Sequence, residues 1–314
     1  MKIDIIIPNY NGLRLVEKNL PLVIDRVKDF NGVSIVIVDD CSSRDEFEKI
    51  KELITSLSDI DPKTKIELIR NEKNLGFSSS INKAALKSNA DYLVFLNTDV
   101  IPEKDFLKAA IEDMMEDNNL FGIGFLDKSI EGEKTILRGR GVGAWKRGFL
   151  IHKRGEVDRD NTLWISGGSC LVNAKVFKKL GGFDNIYNPF YWEDIDLSYR
   201  AQKAGFNILF EKRSEVVHKH FEGAIKKYYS GFQIKTYAYR NQFIFIWKNI
   251  TDLSLVLSHI LWLPYHLLRA LIRLDTPFFL GFVLALVKIP VIIFKRIREA
   301  KNTKTDKQVL QKFK

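Results

Sequence analysis

Residues 91–99 read DYLVFLNTD, a short apolar run followed by Asn97, Thr98 and the carboxylate of Asp99. The run is apolar at successive positions, which is typical of a strand that is buried on both faces of a sheet. Asp99 therefore follows the end of a buried strand. Mg²⁺ and Mn²⁺ prefer oxygen ligands and often bind through one or two carboxylates and a substrate diphosphate. The stretch predicts such an ion site, and the alternative is that Asp99 only forms a turn or caps a helix.

Three further strand-like runs precede this stretch, and segments with helical spacing of apolar residues separate them. The predicted strands are residues 3–7, 33–38, 65–69 and 91–96. The predicted helices are residues 13–29, 44–58, 78–88 and 103–116. Four alternations of strand and helix, with continuously apolar strands, predict an α/β fold with a mainly parallel sheet flanked by helices.

Polar side chains follow three of these four strands. Asn9 and Asn11 follow the first strand, Asp39 and Asp40 the second, and residues 97–99 the fourth. Ligands of parallel sheets bind at the carboxyl ends of the strands, so these side chains are expected to share one site. One of the two aspartates is suited to accept hydrogen bonds from a nucleobase N–H or a ribose hydroxyl. The alternative is that Asp39 caps the helix that follows it.

A second acidic cluster, Glu193, Asp194 and Asp196, begins a predicted helix over residues 191–204. Three acids in one helical turn repel each other. One reading is that a member of the cluster is a general base whose pKa is set by its neighbours. The other reading is that all three complement the helix dipole.

Short strands are predicted at residues 206–210 and 214–218, and His218 and His220 stand at the end of the second. Such a histidine is either a structural hydrogen-bond donor or, if it lies near Asp99, a metal ligand. The sequence carries no glycine-rich phosphate loop after a strand, and no Ser elbow or Cys–His pair that would indicate covalent catalysis.

The last third of the chain differs in character from the rest. Residues 253–272 and 276–294 are two long apolar segments that prolines, histidines or charges interrupt. Residues 295–314 form a basic tail with eight Lys or Arg and two acids, within a chain of net charge +10. The tail suggests an anionic partner, phospholipid or nucleic acid, or else a solvated end. With the apolar segments it favours helices lying in a membrane interface, and the expected partner is a membrane surface rather than nucleic acid.

Three other arrangements of the two apolar segments stay open, namely a re-entrant pair, a spanning hairpin and a buried hairpin. The two cysteines, Cys41 and Cys170, form no disulfide framework and fit a reduced compartment. The start of the chain is interpreted as a first strand and not as a signal peptide. The expected location is the cytoplasmic face of the cell membrane, as a peripheral or monotopic protein. The glycine-rich part of residues 122–170 predicts loops and short strands.

Seven segments, in this order, resemble the inverting glycosyltransferase family 2 with the GT-A fold of nucleotide-diphospho-sugar transferases. The resemblance covers about residues 3–222. The segments are IIIPNYNG, IVIVDDCSSRD, NEKNLGFSSSINKA, DYLVFLNTDV, ISGGSCLVNAKVFKKLGGFD, FYWEDIDLSYRAQKAGF and VVHKHFEG. Two of these segments, in the forms LNTDV and GGFD…WEDIDLSYR, look most like those of a rhamnosyltransferase-like branch of the family. The resemblance implies a GT-A catalytic domain over residues 1–225. The change in residue character from about residue 226 predicts a helical, membrane-associated region with the basic tail over residues 226–314.

The resemblance also implies a role for each matching residue. Asp99 and His218 match the ligands of a divalent ion, Mg²⁺ or Mn²⁺, and Asp194, beside Glu193, matches the catalytic base. The residues that match the nucleotide site are Pro8, Asn9, Tyr10, Asp39, Asp40, Gly76, Phe77, Asn82, Asn97 and Thr98. The residues expected to line the donor sugar or the acceptor are Gly167, Gly168 and Trp192. Asn97 departs from the family pattern, which has an acid at this position of its metal motif.

The implied activity is inverting transfer of a sugar from a UDP- or dTDP-sugar to a lipid-linked or polysaccharide acceptor in cell-surface glycan synthesis. A catalytically weak scaffold that binds nucleotide sugars in a membrane assembly is the alternative, and Asn97 motivates it. A nucleotidyltransferase that makes the sugar nucleotide is a third reading. It would require a glycine-rich, basic phosphate loop after the first strand, and IPNYNG is not such a loop.

Overall fold

The computed structural model describes residues 1–60, 62–218, 227–298 and 302–313. Eleven strands and eleven α-helices are described in these residues. The strands are β1 (Ile3–Asn9), β2 (Val33–Asp39), β3 (Lys65–Arg70), β4 (Tyr92–Leu96), β5 (Val100–Pro102), β6 (Leu120–Glu131), β7 (Lys134–Arg138), β8 (Gly141–Lys146), β9 (Phe149–Arg154), β10 (Ser169–Asn173) and β11 (Asn207–His218). The helices are α1 (Leu13–Val27), α2 (Arg44–Ile60), α3 (Phe77–Ala85), α4 (Phe106–Glu116), α5 (Ala174–Lys179), α6 (Glu193–Lys203), α7 (Gly231–Asn249), α8 (Leu253–Ile272), α9 (Thr276–Leu286), α10 (Ile289–Arg298) and α11 (Asp306–Leu310).

The main sheet has the strand order β3-β2-β1-β4-β10-β6-β11-β5, and β7 pairs with β6 outside this path. The first four strands are parallel, as the sequence predicts. The sheet as a whole is mixed, which corrects the prediction of a mainly parallel one. The cause is β10, which enters between β4 and β6 in the opposite direction, while β5 and β7 also pair antiparallel. Strands β8 and β9 form a separate hairpin.

Both faces of the sheet are buried, which explains the continuously apolar strands. Along β1, Ile5 and Ile7 pack with Val16 and Leu20 of α1 on one face. Ile6, which points the other way, packs with Ile81 of α3 on the opposite face. Successive side chains of a strand point to opposite faces, so a strand covered on both sides needs an apolar residue at every position.

The two short strands predicted after residue 205 are one strand, β11, with a register shift between Glu211 and Glu215. At its end β11 pairs with β5, and His218 lies opposite Val100. Val100 is the neighbour of Asp99, so this pairing carries His218 to the end of β4. His220 lies outside the described residues.

Helices α7 to α11 share an apolar cluster with residues of α6 and of β9 in the separate hairpin. Asp306 of α11 is fully buried and accepts hydrogen bonds from Lys203 Nζ at 2.7 Å and Tyr199 Oη at 2.8 Å, both on α6. The end of the basic tail that the structure describes therefore folds back onto α6. The predicted boundary between residues 225 and 226 lies outside the described residues.

Candidate active site

The ends of β1 and β2 are joined by a network of buried polar groups. The Asn9 side-chain amide donates to Asp39 Oδ1 at 2.9 Å, and the Ser42 hydroxyl donates to the same oxygen at 2.5 Å. The Ser42 backbone N–H donates to Asp39 Oδ2 at 3.1 Å. Asp39 is fully buried. Its carboxylate therefore organises the turn after β2, which ends before α2 begins at Arg44.

Asp40 organises the next loop in the same way. It accepts hydrogen bonds at 2.8 Å from the Asn71 side chain and from the backbone N–H groups of Leu75 and Gly76. Gly76 has φ +82°, a left-handed conformation that favours glycine, and a Cβ there would lie 3.1 Å from the Asn188 side chain. Asp40, which directly follows β2, thus holds the loop that precedes α3 in place.

Phe77 and Asn82 of α3 meet the segment that follows α5. The Phe77 ring packs edge-on against Phe183 at 5.6 Å between centroids. The Asn82 amide makes two hydrogen bonds with the backbone of Phe183, donating to its carbonyl at 2.7 Å and accepting from its N–H at 3.0 Å. A Cβ at Gly167 would lie 3.2 Å from the Phe77 ring. The two aromatic rings therefore form one wall beside the Gly167 backbone.

Asp99 and His218, which are 119 positions apart in the sequence, lie together at the ends of β4 and β11. The distance from Asp99 Oδ2 to His218 Nε2 is 3.2 Å. On the other side of the imidazole ring, His218 Nδ1 lies 2.9 Å from Asp127 Oδ2. The Ser129 hydroxyl donates to Asp127 Oδ1 at 2.8 Å, and Asp127 and Ser129 are both buried. Burial disfavours the protonated ring, but the hydrogen bonds to Asp127 and Asp99 prevail and raise the pKa of His218 to about 9.

The Asp99–His218 pair fits two neighbouring ligands of one divalent ion. Two ligands at right angles, each about 2.1 Å from Mg²⁺, lie about 3 Å apart, close to the 3.2 Å between these atoms. No group of three His, Cys, Asp or Glu side chains that could hold a metal is found in the described part of the chain. Water and substrate phosphates commonly complete such a site. The Asp127 carboxylate is the partner that orients a ligating histidine through its second nitrogen.

The loop before β10 connects this pair to the second acidic cluster. A Cβ at Gly168 would lie only 2.3 Å from Asn97 Nδ2, so Asn97 occupies the space that a side chain at position 168 would need. The Asn97 N–H donates to the Gly168 carbonyl at 3.0 Å. The Gly167 backbone N–H in turn lies near enough to Asp194 to favour the ionised form of its carboxyl and so to lower its pKa. Gly167 and Gly168 thus lie between the end of β4 and the start of α6.

Glu193 and Asp194 occupy the first turn of α6 in an environment that disfavours charge. Burial raises the pKa of Asp194 to about 6, although the Ile195 and Gly167 N–H groups stabilise its ionised form. Burial and the nearby charge of Asp194 raise the pKa of Glu193 to about 8. Of these two neighbouring carboxyls, Asp194 is therefore the one that ionises first as the pH rises. A carboxylate with a pKa near the working pH is suited to general base catalysis.

The third acid of the cluster has a different role. Asp196 is fully buried and accepts hydrogen bonds from Tyr187 Oη at 2.8 Å, Arg200 Nε at 2.7 Å and Lys248 Nζ at 2.6 Å. Burial opposes its ionisation, but Lys248 and Arg200 hold the pKa of Asp196 well below its usual range. Asp196 thus joins α6 to α7, which supplies Lys248.

The residues before Glu193 adopt an unusual backbone conformation. Tyr191 and Trp192 have φ values of 69° and 77°, a region that bulky residues rarely occupy. The Asn241 side chain of α7, which is fully buried, donates to the carbonyls of Phe190 at 2.9 Å and Tyr191 at 2.8 Å. Strained backbone that the surroundings hold in place is concentrated at functional sites. Helix α7 therefore fixes the segment that presents Asp194.

The remaining predicted residues lie around this centre in different ways. Thr98 accepts a hydrogen bond from Asn19 of α1 through its carbonyl at 2.7 Å. Pro8 lies in β1 opposite Val38, and the Tyr10 ring contacts Tyr228 at 5.5 Å. Trp192 is buried against Phe245 of α7, with 5.1 Å between ring centroids, and so packs into the core.

Sequence reasoning missed Asp127, Asn241 and Lys248. The signal for Asp127 is an acid at the end of the apolar run LFGIGFL. Lys248 stands out as a single cation after FIFIW. Asn241 carries no comparable signal in its neighbours.

Comparison with known proteins places these features in a family. Residues 4–181 match the family described as Glycosyl transferase family 2. A pre-mycofactocin glycosyltransferase of Mycobacterium tuberculosis is 21% identical over 226 residues, which cover 69% of this chain and 43% of that protein. An N-acetylglucosaminyl-diphospho-decaprenol L-rhamnosyltransferase of Mycobacterium tuberculosis is 42% identical over 55 residues, 18% of each chain. This chain thus matches less than half the length of these curated relatives.

Among solved structures, GalNAc-T7 with UDP, GalNAc and Mn²⁺ superimposes with a TM-score of 0.62. The superposition covers 78% of this chain and 47% of that one at 18% identity, so it shows a GT-A-like α/β fold. The family match spans more than half of the 314 residues. The chain therefore belongs to glycosyl transferase family 2.

Proposed function

We propose that the protein transfers a sugar, with inversion, from a UDP- or dTDP-sugar to a lipid-linked or polysaccharide acceptor in cell-surface glycan synthesis. The observation that carries this proposal is that Gly167 and Gly168 lie between Asn97, two residues before Asp99, and Asp194. The group suited to take a proton thus lies across this loop from the strand end that leads to the pair suited to hold a phosphate-bound ion.

In the proposed reaction, Asp194 accepts the proton of an acceptor hydroxyl. The hydroxyl oxygen bonds to the anomeric carbon of the donor while the bond from that carbon to the diphosphate oxygen breaks. Attack from the face opposite the diphosphate inverts the configuration, and no covalent intermediate with the protein is needed. Asp99 and His218 would hold Mg²⁺ or Mn²⁺, which supplies positive charge against the leaving diphosphate.

The comparisons support the substrate classes in this proposal. GalNAc-T7 was crystallised with UDP and Mn²⁺, which supports a uridine nucleotide donor and a divalent ion. The Mycobacterium rhamnosyltransferase is named for a decaprenol-diphosphate acceptor and for transfer of L-rhamnose. Its short match supports a lipid-linked acceptor and the rhamnosyltransferase-like branch for this chain.

The test is a panel of UDP- and dTDP-sugars, with Mg²⁺, Mn²⁺ or a chelator present. Donor binding is measured by calorimetry and donor turnover by release of the nucleoside diphosphate. We expect at least one donor to bind and turn over only when a divalent ion is present. A panel with no metal-dependent binding would contradict the proposed donor class.

A scaffold that binds nucleotide sugars without turning them over is a second candidate function. Asn97 favours it, because an amide stands where the family pattern has an acid and Asp99 is the only carboxylate of the motif. The same panel separates the two functions. Donor binding without nucleoside diphosphate release, even with acceptors added, would support the scaffold, whereas metal-dependent release removes it.

We also propose that helices α8 to α10 lie on the cytoplasmic face of the cell membrane as a peripheral or monotopic anchor. Helix α8 is long and apolar enough to cross a membrane by length and composition, while α9 and α10 form a pair bent by 60° that passes the same test together. Several apolar side chains of α8 are exposed, including Leu261 at 78%, Leu268 at 58% and Leu271 at 60%. A contiguous exposed apolar face of this kind is typical of a membrane or protein interface.

The membrane proposal is tested with Leu261→Glu, Leu268→Glu and Leu271→Glu combined in one variant. We expect this variant to lose binding to phosphatidylcholine vesicles in a flotation assay. The matched control combines Ile60→Glu, Met115→Glu and Leu137→Glu, three exposed apolar residues outside α8 to α10. Equal binding by wild type and the α8 variant would contradict the anchor.

A further inference from the structure

A basic cavity lies behind the candidate active site. Its volume is about 460 Å³, within the range of small-molecule sites. Residues from α3, α5, α6, α7, α10 and the segment after α5 line it. Phe183 lines the cavity while the end of its ring faces Gly167, so this residue separates the cavity from the site. Asp99, Asp194 and His218 do not line it.

The charges around the cavity are strongly unbalanced. Among the lining residues that the structure describes are five cations, Lys179, Arg200, Lys248, Lys295 and Arg298, and one carboxylate, Asp184. Asp196 lies behind the wall and binds Arg200 and Lys248. Five cations against two carboxylates leave a surplus of three positive charges. Such a surplus around one cavity indicates an anionic ligand.

Two of these cations have no carboxylate partner within the described residues. Lys179 lies over the Phe206 ring at 5.4 Å, and Arg298 lies over the Phe294 ring at 4.6 Å. Both side chains are exposed at the opening. Lys295 also lies there and binds Asp184 at 2.9 Å. Lysine and arginine at the mouth of a cavity are suited to bind phosphate oxygens.

The opening borders an exposed apolar surface. Phe294 and Arg298, which line the cavity, belong to α10, and the same helix exposes Ile293 at 52%, Phe294 at 55% and Ile297 at 77%. A ligand that satisfies both surfaces has an anionic head and an apolar tail. A cavity of this volume also has room for more than a single phosphate group.

We propose that this cavity binds the headgroup phosphate of an anionic membrane phospholipid, with its acyl chains along α10. The inference rests on the membrane contact in the proposed function and names the lipid class and the residues that select it. The phosphate lies between Lys179 and Arg298, close to Lys295, and the rest of the headgroup fills the cavity. The site thereby distinguishes anionic from zwitterionic bilayers.

The test is vesicle flotation with the full chain, on phosphatidylcholine vesicles and on vesicles that also contain phosphatidylglycerol. The measured quantity is the ratio of the two affinities. The variant combines Lys179→Ala and Arg298→Ala. We expect the ratio to fall about 30-fold, because each cation near an anionic lipid surface contributes roughly fivefold. The matched control, Lys87→Ala with Lys108→Ala, removes the same charge at exposed positions that do not line the cavity.

An equal fall in both variants, or no fall in the cavity variant, would overturn the proposal. In a parallel series, inorganic phosphate is added at matched ionic strength. We expect it not to displace the protein from the phosphatidylglycerol-containing vesicles. Complete displacement would indicate a free-phosphate site and overturn the lipid assignment. Binding to pure phosphatidylcholine vesicles tests the proposed anchor, whereas the ratio of the two affinities tests the headgroup site. A failure of one proposal can therefore be distinguished from a failure of the other.

Discussion

Asp127 provides the sharpest test of the metal site, because it touches His218 and lies on the side of the ring away from Asp99. We expect Asp127→Ala to weaken Mn²⁺ binding in the presence of UDP. The His218 Nδ1 to Asp127 Oδ2 distance is 2.9 Å, and Asp127 is buried. A hydrogen bond to a charged group contributes about 1.5–3 kcal/mol, which corresponds to roughly 10- to 100-fold in affinity. This range agrees with the effect of removing the outer partner of a ligating histidine, about 10- to 100-fold.

The assay is calorimetric titration of Mn²⁺ into the UDP-bound protein, which does not depend on turnover. Asp127→Asn keeps an oxygen that can accept from Nδ1–H and is expected to lose less affinity than Asp127→Ala. The matched control is Glu131→Gln, an acid on the same strand that pairs with Arg138 and not with His218. If Asp127→Ala binds Mn²⁺ as tightly as the control, His218 is not oriented by Asp127 for a metal ion and the reasoning fails.

Two further predictions concern the acidic cluster and helix α7. The pKa of Asp194 in the free protein is raised to about 6, and a base must be ionised to act. We therefore expect kcat/KM to rise about tenfold per pH unit below pH 6 and to level off above about pH 7. A flat kcat/KM profile from pH 5 to 8 would argue against Asp194 as the base. Lys248→Met removes the buried cation that pairs with Asp196 and Asp184. We expect this variant to lower the free energy of unfolding, measured in urea, by about 3–5 kcal/mol. The control is Lys235→Met at an exposed position of the same helix, which should change the free energy of unfolding by less than about 0.5 kcal/mol.

The first half of the fold and the strand-end residues could be predicted because their signals are local. A continuously apolar run such as residues 33–38 identifies a strand buried on both faces, and its end identifies the side chains at the edge of the sheet. The direction of β10 could not be predicted in this way. Ser169–Asn173 is apolar whether it runs parallel or antiparallel to β4, and the direction depends on a chain path through residues far away in sequence.

The candidate site shows the same division between local and distant information. The pairing of His218 with Val100 explains its proximity to Asp99, but a strand pairing across more than a hundred residues leaves no local pattern. Asp127 was missed because its partner approaches from β11, and Asn241 because its partners are backbone carbonyls that any sequence would supply. The family resemblance indicated the Asp99–His218 pair. It did not indicate the residues that orient them.

The central claim is that Asp194 is the base of a glycosyl transfer, and Asp194→Asn tests it most directly. The variant keeps the shape of the side chain but cannot accept the proton of the acceptor hydroxyl. With the donor that the panel identifies, transfer rate and donor affinity are measured on the same preparation, and the exposed Asp45→Asn serves as the control. We predict that transfer falls by about 10²- to 10⁴-fold while donor affinity stays close to that of the wild type. Near-normal transfer by Asp194→Asn would contradict the account.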